Sequence, residues 1–159
     1  MFEKFGEFDT YKELNKTAEG LKKEGDMESL KILAEENGLF TDSCDDYADG
    51  YTDALCNSLE ASIGRLQIEE KDSKLCDEVK RVIYTMANEM CSDESEEFRE
   101  AVTKKGKRLE KIMDAMREHA RSNAKGNVGV AAGTDRKLKS IIRAYYMGSE
   151  ADLKKAVAE

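Results

Sequence analysis

Five aspartates crowd one short stretch of this chain: Asp42, Asp45, Asp46, Asp49 and Asp53, with Tyr47 and Tyr51 between them. Carboxylates at this density raise calcium first. If Gly50 were the glycine of a helix–loop–helix calcium site, the loop would begin at Asp45. Its third position would then be Tyr47 and its twelfth Cys56. An oxygen ligand is missing at the former and the bidentate Glu at the latter, so the spacing speaks against calcium. Two readings of the cluster remain. The acids cap and solvate a helix, or they form a surface that imitates nucleic-acid phosphates and occupies a basic groove on another protein.

Other reactive residue types are sparse. Cys44, Cys56, Cys76 and Cys91 form no C-x-x-C pair, and His119 is the only histidine. Zinc needs paired Cys or His ligands, so the cysteines read as buried free thiols in a reducing compartment. The stretch Gly126–Gly133 precedes a helical pattern, as phosphate loops do, but it has no P-loop Lys and follows no strand. Its glycines suit a hinge or a close helix approach. His119 reads as a surface or boundary residue of a helix, and carboxylate pairs are too abundant to single one out as an acid–base couple. The expectation is a protein that is not an enzyme and that uses neither cofactor nor metal.

The positive charge has its own place. Residues 1–103 hold 12 Lys and Arg against 27 Asp and Glu, whereas residues 104–159 hold 14 against 7. Lys104, Lys105, Lys107, Arg108 and Lys111 surround one helix start; Arg136, Lys137, Lys139 and Arg143 lie in the first part of a later helix. These residues suit contacts to phosphates, or an internal complement to the acidic front. The split also permits self-association into a homo-oligomer.

The elements that must position these groups are helices. Pro and Trp are absent, and the alternation typical of strands is missing save for the short stretch Val128–Ala132. Thr10 with Glu13 predicts a helix start, followed by Tyr11, Leu14, Ala18 and Leu21 on one face and Gly25 at the end. Asp26 predicts the next start, and the short link makes an antiparallel hairpin. One short helix is expected within Thr41–Gly50. After Thr52, the stripe Leu55, Leu59, Ile63 and Leu66 predicts another. Leu75, Val79, Val82, Ile83, Met86 and Met90 give the strongest periodicity and the best candidate for a central helix. Ser92 and Asp93 are expected to start the helix of Phe98, Ala101 and Val102; Leu109, Ile112, Met113, Met116 and Ala120 mark the next. Thr134 and Asp135 introduce Leu138, Ile141, Ile142 and Tyr145, and Ser149 with Asp152 a final amphipathic tail. The fold class is therefore all-α, one compact domain of about seven to eight short helices. Its regions would be an acidic N-terminal hairpin (1–50), central helices (51–103) and a basic C-terminal part (104–159), folding as one. No run of about 18 apolar residues exists to span a membrane. The N-terminus has no apolar secretory segment, so the expected location is cytoplasmic.

Several segments carry a family resemblance. Phe2–Asp9, Glu24–Leu30 and Glu35–Gly38 are similar to the opening of small acidic proteins from mobile elements of gut Firmicutes. Lys105-Gly106-Lys107-Arg108-Leu109 and Ile141–Gly148 resemble the PcfK-like proteins of conjugative elements, a family that includes inhibitors of CRISPR effector nucleases. The loop Val128–Gly133 departs from that family's usual form. The resemblance implies a mobile-element, anti-CRISPR protein that binds an RNA-guided nuclease and blocks nucleic-acid access, with no chemistry of its own. The alternative is a nucleic-acid-binding accessory of plasmid transfer that uses the basic back half.

Overall fold

The computed structural model describes residues 2–124 and 133–159. The stretch Val128–Ala132 lies outside the described residues, as does the Gly126–Gly133 loop except for Gly133. The described residues form nine α-helices and one 3₁₀ turn, with no strand among them. The all-helical expectation holds, as one compact domain.

Most helices begin where a side chain can take up a free backbone N–H. The Thr10 hydroxyl accepts from the Glu13 N–H and opens α1 (Tyr11–Glu24); Glu13 in turn accepts from the Asp9 N–H. The Asp26 carboxylate accepts from the Ser29 N–H and opens α2 (Met27–Glu36), which folds back on α1. α3 (Asp42–Asp49) buries Cys44 and Tyr47 and turns its aspartates outward.

Two boundaries differ from the sequence expectation. α4 (Ser58–Asp72) starts at Asn57, which forms a reciprocal capping box with Glu60, so Leu55 precedes the helix. α5 (Asp77–Asp93) runs through Ser92 and Asp93, and the next helix, α6 (Glu96–Thr103), is capped by Ser95. The reason is local. The Ser92 hydroxyl donates back to the Asn88 carbonyl inside α5, while the Ser95 hydroxyl is free to accept from the Phe98 N–H. A 3₁₀ turn (Leu109–Lys111) leads into α7 (Ile112–Ser122). α8 (Asp135–Met147) is capped by Thr134, and α9 (Glu150–Ala158) by the expected Ser149–Asp152 box.

Two hydrophobic clusters meet along α4. The first holds Leu14, Ala18, Leu30, Leu33, Ala34, Cys44 and Tyr47, and it reaches α4 at Ala61. The second begins at Leu66 and gathers residues from α5 to α9. α5, the most periodic helix, supplies Ile83, Tyr84, Met86, Ala87, Met90 and Cys91 to it. The helix that joins the clusters is nevertheless α4, packed against α5 and α6. Its inner face is Ser58, Ala61, Ser62, Gly64, Arg65, Leu66 and Glu69. Small residues there admit close neighbours, and the two charges need partners.

The closest approach is between glycines. A Cβ added to Gly64 would lie 2.3 Å from the Asn37 carbonyl oxygen; one added to Gly38 would lie 2.4 Å from the Gly64 oxygen. Gly38 also has φ +68°, a left-handed conformation that glycine adopts without strain. The turn after α2 therefore rests backbone to backbone on α4. This contact generates a paired prediction. Gly64→Ala forces the two segments apart and should cost about 1–3 kcal/mol, read as a lower midpoint in urea denaturation. Gly20→Ala, in the exposed middle of α1 with open space around it, should raise stability by about 0.5–1 kcal/mol.

Candidate functional site

The acidic cluster is a surface. Asp42, Asp45, Asp46 and Asp49 lie on α3 at three- and four-residue steps and are exposed; Asp53 follows in the turn after it, also exposed. Asp45 pairs with Lys31 at 3.1 Å. Asp42, Asp46, Asp49 and Asp53 have no ion pair among the described residues. Between Ile32 and Gly64 the sequence holds eight acids and no Lys or Arg. The cations that reach α3 come from earlier helices: Lys31 on Asp45, and Lys22 on the Tyr47 carbonyl and ring. Two large apolar side chains stand at either end of α3: Phe40 just before it, 79% exposed, and Tyr51 just after it, 80% exposed. In sequence Tyr51 stands only as a spacer between acids, and nothing marks Phe40.

The basic residues fare differently. Arg108 is half-buried, and its guanidinium donates to both carboxylate oxygens of Glu7, at 2.7 and 3.2 Å. The Lys107 ammonium donates to the Tyr145 carbonyl at 2.8 Å and lies over the Tyr145 ring. Lys111 donates to the Gly106 carbonyl. On α8, Arg143 pairs with Glu94 and Lys139 with Glu89. Lys137 is half-buried, while Lys104, Lys105 and Arg136 are exposed without an ion pair among the described residues. The basic back is thus partly an internal counterweight to the acidic front. Lys104–Lys111 and Arg136–Arg143 are not one uniform patch.

Behind the surface lies a buried ion network that the sequence reading missed. Glu7 sits between Arg65 of α4 and Arg108, and also accepts from the Gly106 N–H at 3.1 Å. Arg65 donates in addition to the Phe8 carbonyl at 2.9 Å, with the Phe2 ring stacked on it. Glu69 accepts from the Leu109 N–H at 2.9 Å, and its other oxygen lies 3.9 Å from Arg108. That oxygen and the buried Tyr146 hydroxyl have no hydrogen-bond partner among the described residues. The one available signal was α4's inner face. Arg65 and Glu69 are four residues apart there, on the stripe that carries Ala61 and Leu66.

Other candidate groups stay apart. Cys44, Cys56 and Cys91 are buried as expected, but Cys76, at the N-cap of α5, is exposed. Burial pushes the Cys56 thiol up to about 12 and raises those of Cys44 and Cys91, which keeps them as unreactive thiols. His119 is half-buried on α7, beside Asn123. No group of three His, Cys, Asp or Glu among the described residues is placed to hold a metal ion. No described helix is long and apolar enough to cross a membrane. Val82, expected in the core, is 54% exposed because it lines an apolar cleft of about 380 Å³ between α5, α7 and α8. No family model, no curated protein and no solved structure matches the chain.

The network makes stability depend on pH in opposite senses. Burial alone would raise Glu7, but the Arg108 hydrogen bond, the Arg65 charge and the Gly106 N–H hold it down to about 2, against an ordinary 4.5. The stability it contributes is present above pH 4.5 and is lost as pH falls toward 2. Burial pushes Glu69 up to about 7, although the Leu109 N–H and both arginines oppose this. Its ionised form is therefore disfavoured, and this group's contribution declines as pH rises from 4.5 through 7. Together they place maximum stability between those limits. Thermal midpoints measured across pH should show it, and Glu69→Gln should flatten the alkaline side alone. Glu7→Gln should remove the acid-side dependence and, by taking away the carboxylate charge beside buried Arg65, cost about 3 kcal/mol near neutrality.

Proposed function

We propose that this chain is a non-enzymatic binding protein that lays the acidic face of α3 on a basic, nucleic-acid-binding surface of another protein. The observation that carries this reading is the contrast in charge use. Asp42, Asp46 and Asp49 of α3 and Asp53 just after it are exposed and have no ion pair among the described residues, whereas Arg108, Arg143 and Lys139 are committed to internal ion pairs. Carboxylates at Asp42, Asp45, Asp46 and Asp49 run along about 10 Å of one helix, within one screening length at ordinary salt. Such a face attracts a positively charged channel and excludes nucleic acid from it by occupation and repulsion. With the PcfK-like resemblance, the partner we favour is an RNA-guided effector nuclease of the anti-CRISPR setting, in the cytoplasm. Such nucleases hold nucleic acid in positively charged channels.

A cleavage assay tests this. Near-stoichiometric protein should suppress cutting by a susceptible RNA-guided nuclease. The triple variant Asp42→Asn, Asp46→Asn, Asp49→Asn should slow association about tenfold at about 50 mM salt and much less at about 500 mM. Undiminished cutting across a panel of such nucleases with excess protein would remove the nuclease reading. Equal salt dependence for the triple variant and the parent would remove the acidic face from it.

A second reading has one observation in its favour: Lys104, Lys105 and Arg136 are exposed and without ion pairs among the described residues. A nucleic-acid accessory of conjugative transfer would use them on phosphates. It predicts a mobility shift with DNA or RNA at about 50 mM salt, lost when Lys104 and Lys105 are changed to Ala. No shift at that salt ends this reading.

A further inference from the structure

Beside the acidic face, the turn between α2 and α3 and the inner end of α4 enclose a small cleft of about 130 Å³. Leu39, Phe40, Leu55 and Ile63 line it, Glu60 stands at its rim, and the Gly38–Gly64 contact closes one wall. We propose that this cleft receives a single apolar side chain from a Lys- and Arg-rich segment of the protein partner, with the segment's cations lying along α3. The proposal rests on the acidic-face reading above and names the anchor that such a face would otherwise lack.

Three observations carry it. The volume is close to that of a cavity of about 150 Å³ that holds a benzene ring, so it suits one leucine or one aromatic side chain and nothing larger. The cleft is continuous with the acids. Ser43 of α3 lines it next to Asp42, and Glu60 lines it from the α4 side. A peptide anchored there is therefore led directly onto α3. Finally, Phe40 and Tyr51 are exposed at the two ends of that helix. Their ring faces are suited to Arg or Lys, which the carboxylates also favour. A nucleic-acid strand could stack bases on the same rings, but its phosphates would meet Asp42, Asp46 and Asp49 with the wrong sign. A segment with one apolar anchor between cations satisfies every group on this surface at once. The acids provide long-range attraction, and the anchor fixes the register.

The test uses two synthetic peptides of about 15 residues, rich in Lys and Arg, identical except for a central Leu or Ala. Their affinities for the whole protein are measured by fluorescence anisotropy. Burial of the leucine should make the Leu peptide bind about tenfold tighter than the Ala peptide. Phe40→Ala removes one cleft wall from an exposed position, so the fold should keep its thermal midpoint while the Leu–Ala difference shrinks to about twofold. The triple variant Asp42→Asn, Asp46→Asn, Asp49→Asn should weaken both peptides alike and leave their ratio unchanged. Equal affinity for the two peptides, with charge dependence intact, overturns the anchor and leaves the acidic-face reading standing. No binding of either peptide at low salt overturns both. Preference for a single-stranded oligonucleotide over both peptides, abolished by Tyr51→Ala, also overturns the proposal.

Discussion

The carboxylate of Glu7 is the point on which the rest of the molecule is hung. It accepts from Arg65 on α4, from Arg108 ahead of the 3₁₀ turn, and from the Gly106 N–H. One side chain thus joins the N-terminal segment, the helix at the centre of both cores and the start of the basic region. Arg65 is 4% exposed, and an isolated guanidinium at that depth would carry a large desolvation cost. The Phe8 carbonyl and the Phe2 ring complete its surroundings, so the apparently loose opening residues serve as its solvent. That region is secured in turn by the backbone N–H groups of Lys4 and Phe5, which donate to Glu36 at the end of α2.

This arrangement changes the meaning of the charge split along the sequence. A count of residues suggests an acidic half and a basic half, each available to a partner. Folding brings Glu7, Glu89 and Glu94 against Arg108, Lys139 and Arg143 and uses those charges internally. The acids of α3 largely escape because no Lys or Arg lies between Ile32 and Gly64; among the described residues Lys31 pairs with Asp45, and Lys22 is spent on the Tyr47 carbonyl and ring. The surface that remains available is set by topology as much as by composition.

Much of the helix plan was legible because it is written in local chemistry. Thr10, Asp26, Thr134 and Ser149 cap where their spacing to the following residues says they should. Legibility failed where several caps compete, as between Ser92 and Ser95, or where a longer apolar stripe pulled the reading upstream, as with Leu55 before Asn57. The ion network was illegible for a different reason. Arg65 and Glu69 are of the types that normally face water, and their burial is decided by Glu7 and Leu109, 58 and 40 residues away in the chain. The aspartates of α3 were found as a cluster. Phe40 is not legible because a single aromatic in the short link between two helices has no periodicity to betray it.

The long reach of the N-terminal segment bears on how the chain folds. Glu7 meets Arg108 across 101 positions, the Asp9 carbonyl meets Thr103 across 94, and Tyr11 meets Glu96 across 85. The helical hairpins form from near neighbours, so they can assemble quickly, whereas these contacts must await a large loop closure. The opening residues therefore depend on a loop closure that the helical hairpins do not need. Detachment of these opening residues would uncover the cluster against which Phe5 and Phe8 pack and would strand a buried cation. In hydrogen-exchange terms the N-terminus is a latch: its opening must break the ion pairs of Glu7 as well as the packing of Phe5 and Phe8, against a body held by close-packed apolar side chains.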